Sequence, residues 1–300
     1  MENIAVIGSG TMGIGIAQTF AAYGFEVSLY DVSAPALTQS IEVMSQSLDR
    51  MVRKETMAAE DKEATLSRIH LHYKLKEAVD EAQIVVEAAT ENKSLKLNLF
   101  KELSILSGRD TILATNTSSI SITELAAATD RAHKVIGMHF MNPVPLMKLV
   151  EVVRGFQTSE ETVSQIKGLT TALEKVPVVS QDYPGFIANR ILMPMINEAI
   201  FCLFEGVAGV WEIDEVMKLG MSHPMGPLRL ADFIGLDVCL AVMQVLFDGF
   251  KSQKYAPCPL LVNMVYSGSL GIKSGQGFYA YPAKGKDIRV ASNFAKDDIK

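Results

Sequence analysis

A histidine and a glutamate are the clearest candidates for acid–base chemistry in this sequence. Residues 135–138 form an apolar run that predicts a buried strand leading to His139, and Glu151 interrupts a second, β-branched run at residues 149–153. The two prolines and the asparagine in residues 142–145 predict a turn between the runs. A buried carboxylate needs a hydrogen-bonding partner, and His139 is the nearest one available. The pattern therefore predicts a His139–Glu151 pair, with either a catalytic or a structural role.

The elements that must position this pair begin with a glycine-rich turn near residue 8. Residues 3–7 form a short apolar run, Gly8, Gly10 and Gly13 follow, and a helical pattern continues to Tyr23. The three glycines suit a tight turn, close approach of the backbone to a pyrophosphate, and close helix–strand packing. The strand, turn and helix together predict a dinucleotide site with the phosphates at the helix N-terminus.

An acidic residue in the expected position indicates which dinucleotide is bound. A second apolar run at residues 26–30 ends at Asp31, and no basic residue occupies the next three positions. A carboxylate there accepts the ribose hydroxyls and repels a 2′-phosphate. We therefore expect NAD rather than NADP. The alternative, a structural turn without a nucleotide, is disfavoured by the combination of the two runs.

A small polar cluster follows another predicted strand, at residues 116–119. Strand ends in this kind of fold face the ligand crevice, so a substrate would lie beside the cluster. For Ser119 or Ser121, a role as the N-cap of the next helix is nearly as good an interpretation as a role in binding. The N-cap interpretation is weaker for Ser118, which is therefore the better catalytic candidate. Asn189, one turn into an apolar helix, is a further candidate. Its alternative role is a hydrogen bond to a neighbouring carbonyl.

One helix carries a stripe of a hydroxyl and two cations. Apolar residues recur at helical spacing from Ile41 to Met51, and the opposite face presents Ser47, Arg50 and Lys54. Such a stripe is usually just a solvated face. A substrate that carries phosphates could also bind it, and we keep both interpretations.

The second half of the chain is predicted to be helical. The change follows residues 175–185, and the sequence predicts an NAD-binding domain at residues 1–183 and a helical domain at residues 184–300. We expect an α/β fold, with a Rossmann-type N-terminal domain built on a mostly parallel sheet and an all-α C-terminal domain. The apolar helices indicate pairing of the helical domain in a homodimer. Predicted helices span residues 186–204, 213–219, 236–250 and 260–266, His223 lies in a turn at residues 223–227, and a glycine-rich loop spans residues 271–279.

Composition excludes several other classes of protein. The net charge of −6 over 300 residues disfavours nucleic acid as a partner. The three cysteines form no Cys-x-x-Cys motif, so neither a disulfide framework nor a metal site is expected. No apolar run approaches the roughly 18 residues of a membrane span. The first strand begins almost at Met1, which leaves no room for a targeting peptide, so we expect a cytoplasmic protein without a membrane partner.

Several motifs, in order along the chain, resemble one family of enzymes. They are the Gly8–Gly13 turn, the polar cluster at 116–119, the block from His139 to Glu151, and residues 182–190, 223–227 and 273–279. Together they resemble the NAD-dependent L-3-hydroxyacyl-CoA dehydrogenases, most closely the short-chain 3-hydroxybutyryl-CoA group, over essentially the whole chain. Met141 departs from the family's usual phenylalanine but is close to it in size.

The resemblance implies a role for each matching residue. His139 is then the general base and Glu151 its orienting partner, with Ser118 and Asn189 as polar contacts of the substrate. It further implies contacts to the coenzyme A substrate from Ser47 and Lys54, and contacts near the nicotinamide ribose from Glu91, Lys96, Asn142 and Lys273. The expected reaction is oxidation of an acyl-CoA thioester by NAD in fatty-acid or butyrate metabolism.

Two other functions remain open from the sequence. One is an NAD-dependent dehydrogenase that acts on a free hydroxy acid or sugar acid, which would show higher activity on free acids than on thioesters. The other is a nucleotide-binding protein without turnover, which the intact set of His139, Glu151, Ser118 and Asn189 disfavours.

Overall fold

The chain divides into two compact units, Met1–Phe186 and Ile187–Lys300. A computed structural model describes residues 2–282 and 287–295. The sequence pattern predicts the division a few residues earlier, after residue 183.

The first unit is built on one eight-stranded sheet. Its strands are β1 (Asn3–Ile7), β2 (Glu26–Tyr30), β3 (Ile69–His72), β4 (Ile84–Glu87), β5 (Ile112–Thr115), β6 (Val135–Phe140), β7 (Leu149–Arg154) and β8 (Val176–Gln181). Their order in the sheet is β3-β2-β1-β4-β5-β6-β7-β8. All neighbouring pairs are parallel except β6 and β7, which are antiparallel. The mostly parallel sheet confirms the predicted fold class.

Helices cover both faces of this sheet. Alternate residues of β1 enter different apolar clusters, Ile4 and Val6 one of them and Ala5 and Ile7 the other, because successive side chains point to opposite faces. A parallel sheet is stable when both faces are covered in this way. The helices of this unit are α1 (Thr11–Ala22), α2 (Ala34–Arg53), α3 (Ala59–Ser67), α4 (Leu75–Val79), α5 (Lys93–Leu106), α6 (Ile122–Ala127) and α7 (Glu160–Ala172).

The topology gathers the candidate residues at one edge of the sheet. The parallel strands β1, β2, β4, β5 and β6 all end there, which brings Gly8, Asp31, Glu87, Thr115 and His139 to that edge. Strand β7 runs in the opposite direction and therefore begins at the same edge. Ligands of open α/β sheets bind in the crevice at the carboxyl ends of the strands.

The second unit is mainly helical, as predicted. Its helices are α8 (Ala188–Phe204), α9 (Val210–Glu215), α10 (Pro227–Ile234), α11 (Leu236–Phe250) and α12 (Pro259–Tyr266). A π-helical turn at Val216–Gly220 follows α9. The unit also contains a small antiparallel ladder between β9 (Tyr279–Ala280) and β10 (Arg289–Val290), so it is not strictly all-α.

Two buried aspartates hold the second unit together. Asp214 accepts hydrogen bonds from the amides of Leu228 and Arg229 at the start of α10 and from the Tyr279 hydroxyl. Asp232 accepts hydrogen bonds from the amides of Phe278 and Tyr279 and from the Tyr281 hydroxyl.

Two motif glycines make room for these carboxylates. A Cβ atom at Gly226 would lie 2.2 Å from the carboxyl carbon of Asp214, and one at Gly277 would lie 1.9 Å from Oδ1 of Asp232. The glycines of the loop at 271–279 and of the turn at 223–227 therefore have a packing role in the second unit.

No single helix in the described part of the chain has the length and hydropathy of a membrane span. Helices α10 and α11 reach that composition only as a pair, and a 98° bend separates them.

Candidate active site

The glycine turn after β1 has the geometry of a dinucleotide site. Gly8 adopts a φ of +109°, and a Cβ atom there would lie 2.7 Å from the Ala88 carbonyl oxygen. A Cβ atom at Gly13 would lie 1.8 Å from the Gly8 carbonyl oxygen, so only glycine lets α1 pack this closely on the turn. Gly10, in contrast, faces open space and is the N-cap residue of α1. The amides of the first turn are thus available to a pyrophosphate.

A cavity of about 640 Å³ extends from this turn along the ends of β1, β2 and β4. Asp31 lies in its wall. The Oδ2 atom of Asp31 accepts hydrogen bonds from the amide (2.6 Å) and hydroxyl (2.9 Å) of Ser9, and Oδ1 accepts one from the Ser33 amide at 2.8 Å. The carboxylate is therefore held against the glycine turn, and its remaining lone pairs suit ribose hydroxyls.

The charges around this cavity favour NAD over NADP. Two carboxylates, Asp31 and Glu102, belong to its wall, and none of the described lining residues is Lys or Arg. Burial and the nearby carboxylates of Glu102 and Asp31 raise the pKa of Tyr30 above its ordinary value of 10.0. A 2′-phosphate would enter this negative field without a cationic partner, whereas a ribose hydroxyl would find an acceptor.

His139 and Glu151 form the predicted pair. They lie directly opposite each other in the antiparallel ladder of β6 and β7, and both are buried. The Nδ1 atom of His139 is 2.9 Å from Oε2 of Glu151. On the other side of the ring, Nε2 is 3.1 Å from the Ser118 hydroxyl. The Phe186 ring packs against the imidazole in a T-shaped arrangement, with a centroid distance of 5.9 Å.

This arrangement specifies the protonation of the imidazole. A carboxylate only accepts hydrogen bonds, so Nδ1 carries the proton that it donates to Glu151. The lone pair of Nε2 is then directed towards Ser118 and the edge of the sheet. A histidine held in this way can take a proton at Nε2 while the carboxylate stabilises the resulting imidazolium.

Glu91 holds the loop that carries Ser118. Its Oε1 atom accepts hydrogen bonds from the Thr117 hydroxyl (2.6 Å), the Ser118 amide (3.0 Å) and the Ser119 hydroxyl (3.0 Å). Burial alone would raise the pKa of Glu91, but the Lys96 ammonium and these three donors hold it below its ordinary value. Ser121 is instead the N-cap of α6, where its hydroxyl accepts from the Glu124 amide. Ser118 is thus the serine placed beside the histidine.

Lys96 lies beneath this loop and is almost completely buried. Its ammonium donates to Oε1 of Glu87 at 2.6 Å and to the Ala89 carbonyl at 3.2 Å, and it lies 3.4 Å from Oε2 of Glu91. Sequence reasoning missed Glu87, which is fully buried at the end of β4. The sequence did contain a signal for Glu87. A carboxylate at the end of an apolar strand needs a hydrogen-bonding partner, as Glu151 does.

The turn between β6 and β7 is held by a second buried lysine. Lys175 donates to the carbonyl oxygens of Val144 (2.6 Å) and Met147 (2.8 Å). The Val144 side chain packs against Gly15 of α1, where an added Cβ would lie 2.9 Å from it. Asn142 begins this turn, and the contact of Val144 with Gly15 packs the turn against the helix that follows the glycine motif. Burial lowers the pKa of Lys175.

Four other residues were predicted to belong to the site. Ser47 is half-buried on α2, and Lys54 is exposed directly after the helix ends. Asn189 and Lys273 belong to the second unit. Asn189 lies in the first turn of α8, and the Lys273 ammonium is 2.5 Å from Oδ1 of Asp237. Their roles at the site stay predictions. In residues 2–282 and 287–295, no group of three or more His, Cys, Asp or Glu side chains could hold a metal ion.

Comparison with known proteins identifies the family of this chain. The model for the NAD-binding domain of 3-hydroxyacyl-CoA dehydrogenase matches residues 3–183, and that for the C-terminal domain matches residues 185–281. A Bacillus subtilis (strain 168) protein named "Probable 3-hydroxybutyryl-CoA dehydrogenase" is 52% identical over 95% of this chain and 99% of its own length. The 3-hydroxybutyryl-CoA dehydrogenase of Bradyrhizobium diazoefficiens is 51% identical over 94% of this chain and 96% of its own length.

A solved structure agrees with these matches. The crystal structure of (S)-3-hydroxybutyryl-CoA dehydrogenase from Ralstonia eutropha superimposes with a TM-score of 0.92 at 48% identity, covering 94% of this chain and 99% of that one. The family models, the relatives and the solved structure agree on the family and on the fold. The chain belongs to the NAD-dependent 3-hydroxyacyl-CoA dehydrogenase family.

Proposed function

We propose that this protein interconverts L-3-hydroxybutyryl-CoA and acetoacetyl-CoA with NAD. The observation that carries the proposal is the buried relay from Glu151 through His139 to Ser118, at the same sheet edge as the dinucleotide cavity. The names of the relatives, which cover the chain almost completely, supply the short acyl chain and the S configuration.

The relay performs the proton transfer of this reaction. Bound NAD supplies the acceptor for the hydride that leaves C3 of the substrate. His139 takes the proton of the 3-hydroxyl group at Nε2, the face that the structure leaves as an acceptor. Glu151 keeps the Nδ1 proton in place and stabilises the imidazolium. In the reverse direction the imidazolium returns the proton to the 3-oxo group.

Ser118 and Asn189 orient the substrate. The Ser118 hydroxyl, 3.1 Å from Nε2 of His139, holds the 3-oxygen beside the base. Asn189 binds the thioester side from the helical unit. The family resemblance assigns Glu91, Lys96, Asn142 and Lys273 to the nicotinamide end, where the almost completely buried Lys96 acts by fixing Glu87 and Glu91.

The coenzyme A portion binds along α2. Ser47, Arg50 and Lys54 form one polar stripe, and the two cations are exposed, so they can reach phosphate groups. This stripe distinguishes thioesters from free acids, because a free acid has no phosphates to bind there.

The enzyme acts in the cytoplasm, in fatty-acid or butyrate metabolism, as a homodimer. The second unit supports the dimer because it leaves large apolar side chains exposed, which a second copy would cover. These side chains are Ile191, Val207, Val216, Leu219, Met221 and Tyr266. Sedimentation that yields a mass of twice 32.7 kDa supports this assignment, and a monomer at micromolar concentration contradicts it.

A substrate panel tests the proposed reaction. NADH consumption is compared for acetoacetyl-CoA, longer 3-oxoacyl-CoA esters and free acetoacetate. We expect turnover with acetoacetyl-CoA and far less with the free acid. Faster turnover of free acids would instead identify a hydroxy-acid dehydrogenase of the same fold.

A further inference from the structure

A closed ring of four hydrogen bonds and one ion pair surrounds the start of the loop that carries Ser118. The Thr115 hydroxyl donates to Oε2 of Glu87 at 2.6 Å, and the Lys96 ammonium donates to Oε1 at 2.6 Å. Lys96 then reaches Oε2 of Glu91 at 3.4 Å, and Oε1 of Glu91 accepts from the Thr117 hydroxyl at 2.6 Å. The Thr117 amide donates back to the Thr115 hydroxyl at 3.2 Å. We call these five residues the Glu87 ring.

The ring is built around a buried ion pair. Glu87 is 0% exposed and Lys96 is 1% exposed, so both charges have left water, and each is costly without the other. Glu87 also accepts from the Ala89 amide at 2.6 Å, so three donors hold its carboxylate. Removing Glu87 would leave the buried Lys96 ammonium with its weaker contacts to Glu91 and Ala89. Glu87 is therefore the anchor of the ring.

The ring acts on the catalytic serine through Glu91. The same Oε1 atom that closes the ring accepts from the Ser118 amide at 3.0 Å, and the Ser118 hydroxyl lies 3.1 Å from Nε2 of His139. A displacement of Glu91 thus moves the Ser118 backbone, and with it the hydroxyl beside the base. Shifts of about 1 Å in a catalytic group cost up to about 10²-fold in rate.

We propose that Glu87 is a positioning residue, which sets the Ser118–His139 contact through Lys96 and Glu91. This inference deepens the proposed function, on which its kinetic test rests. Glu87 is not part of the cavity wall itself, and it reaches Ser118 only through the side chains of the ring.

A double-mutant cycle with Ser118 tests the proposal. Glu87→Gln keeps the shape of the side chain but removes the charge. We expect E87Q to lower kcat about tenfold. In the S118A background, E87Q should lower kcat by less than about twofold, because the group that it positions is gone. An equal loss of kcat in both backgrounds would overturn the proposal.

Two further variants separate positioning from stability. Thr117→Val removes one ring hydroxyl with little change of shape, and it serves in place of E87Q should that variant not fold. We expect T117V also to lose most of its effect in the S118A background. D214N, which removes a buried carboxylate of the helical unit, is the matched control, and its effects should add to those of S118A. If the effects of T117V and S118A on kcat were additive, that result would contradict the positioning role.

A measurement without turnover keeps this proposal separate from the proposed function. The nitrogen NMR signals of the His139 ring, assigned with H139Q among the five histidines, report its contact with Ser118. In E87Q we expect these signals to move in the same direction as in S118A. Unchanged His139 signals in E87Q would overturn the proposal, whereas a wild-type protein without NADH consumption would overturn only the proposed function.

Discussion

At the residue scale, the proposed catalysis depends on the carboxylate that pairs with His139. Glu151 is 1% exposed and holds Nδ1 of His139 at 2.9 Å. In E151Q the amide can present either its oxygen or its NH₂ group to Nδ1, so the tautomer with a free lone pair at Nε2 is no longer fixed. We expect kcat to fall by about 10²–10⁴-fold while the affinity for NAD stays the same.

The control for this prediction is the exposed Glu160, whose substitution by Gln should leave kcat unchanged. The measurements are steady-state turnover with acetoacetyl-CoA and a fluorescence titration with NADH. Wild-type turnover by folded E151Q would show that the imidazole is oriented by some other group.

At the scale of elements, two glycines of the same turn differ in whether the fold leaves space for a side chain. A Cβ atom at Gly13 would lie 1.8 Å from the Gly8 carbonyl oxygen, whereas one at Gly10 meets nothing within 4 Å. We expect G13A to lose about 3 kcal/mol or more of folding free energy because α1 must move off the turn. G10A should fold normally and bind NAD more weakly, because the methyl group occupies the approach of the pyrophosphate. Thermal unfolding and NADH titration of both variants check this, and an equally stable G13A would be inconsistent with the packing.

The polar stripe of α2 makes a separate prediction at this scale. Lys54 is exposed at the end of the helix, where we place the phosphates of coenzyme A. K54E should raise KM for acetoacetyl-CoA about fivefold with little change in kcat, since reversal of one exposed charge costs about 1 kcal/mol. The matched control is K167E on α7, which changes the net charge equally. If K54E and K167E had the same KM, α2 would not be part of the substrate site.

Local elements were predictable from the sequence, whereas only one contact of the site between elements was. The strand, glycine turn and helix at residues 3–23 depend on neighbouring residues, and the structure confirms them. The His139–Glu151 pair was predictable because a buried carboxylate must find a donor. The Glu87 ring was missed because the directions of the Thr115 and Thr117 side chains follow only from the sheet. Helix α10 was also missed, because Pro227 was taken to end a turn, although proline is favoured in the first turn of a helix.

At the scale of the whole molecule, the buried carboxylate of Asp232 makes stability depend on pH. Burial raises its pKa from the ordinary value of 3.8 to about 6, despite its three hydrogen-bond donors. The folded protein therefore favours the protonated acid. The stabilising contribution is fully present below about pH 4 and is lost as the pH rises through about 6, at a cost of about 3 kcal/mol.

The variant D232N removes this titration and isolates its effect. Urea unfolding of the helical unit can be followed by the fluorescence of Trp211, the one tryptophan of the chain. Between about pH 4 and pH 7, the wild type should lose about 3 kcal/mol of unfolding free energy relative to D232N. The exposed D248N serves as control and should not show this loss. If the unfolding free energies of the wild type and D232N changed with pH in the same way, the assigned pKa of Asp232 would be contradicted.

In the proposed reaction, the buried His139 performs the proton transfer of an NAD-dependent 3-hydroxyacyl-CoA dehydrogenase. The most direct test is the initial rate of NADH consumption with acetoacetyl-CoA, measured for the wild type and H139Q at saturating NADH. We predict rapid consumption by the wild type and a rate lower by about 10²–10⁴-fold for H139Q, with NADH binding intact. Equal rates for the two folded proteins would contradict the claim.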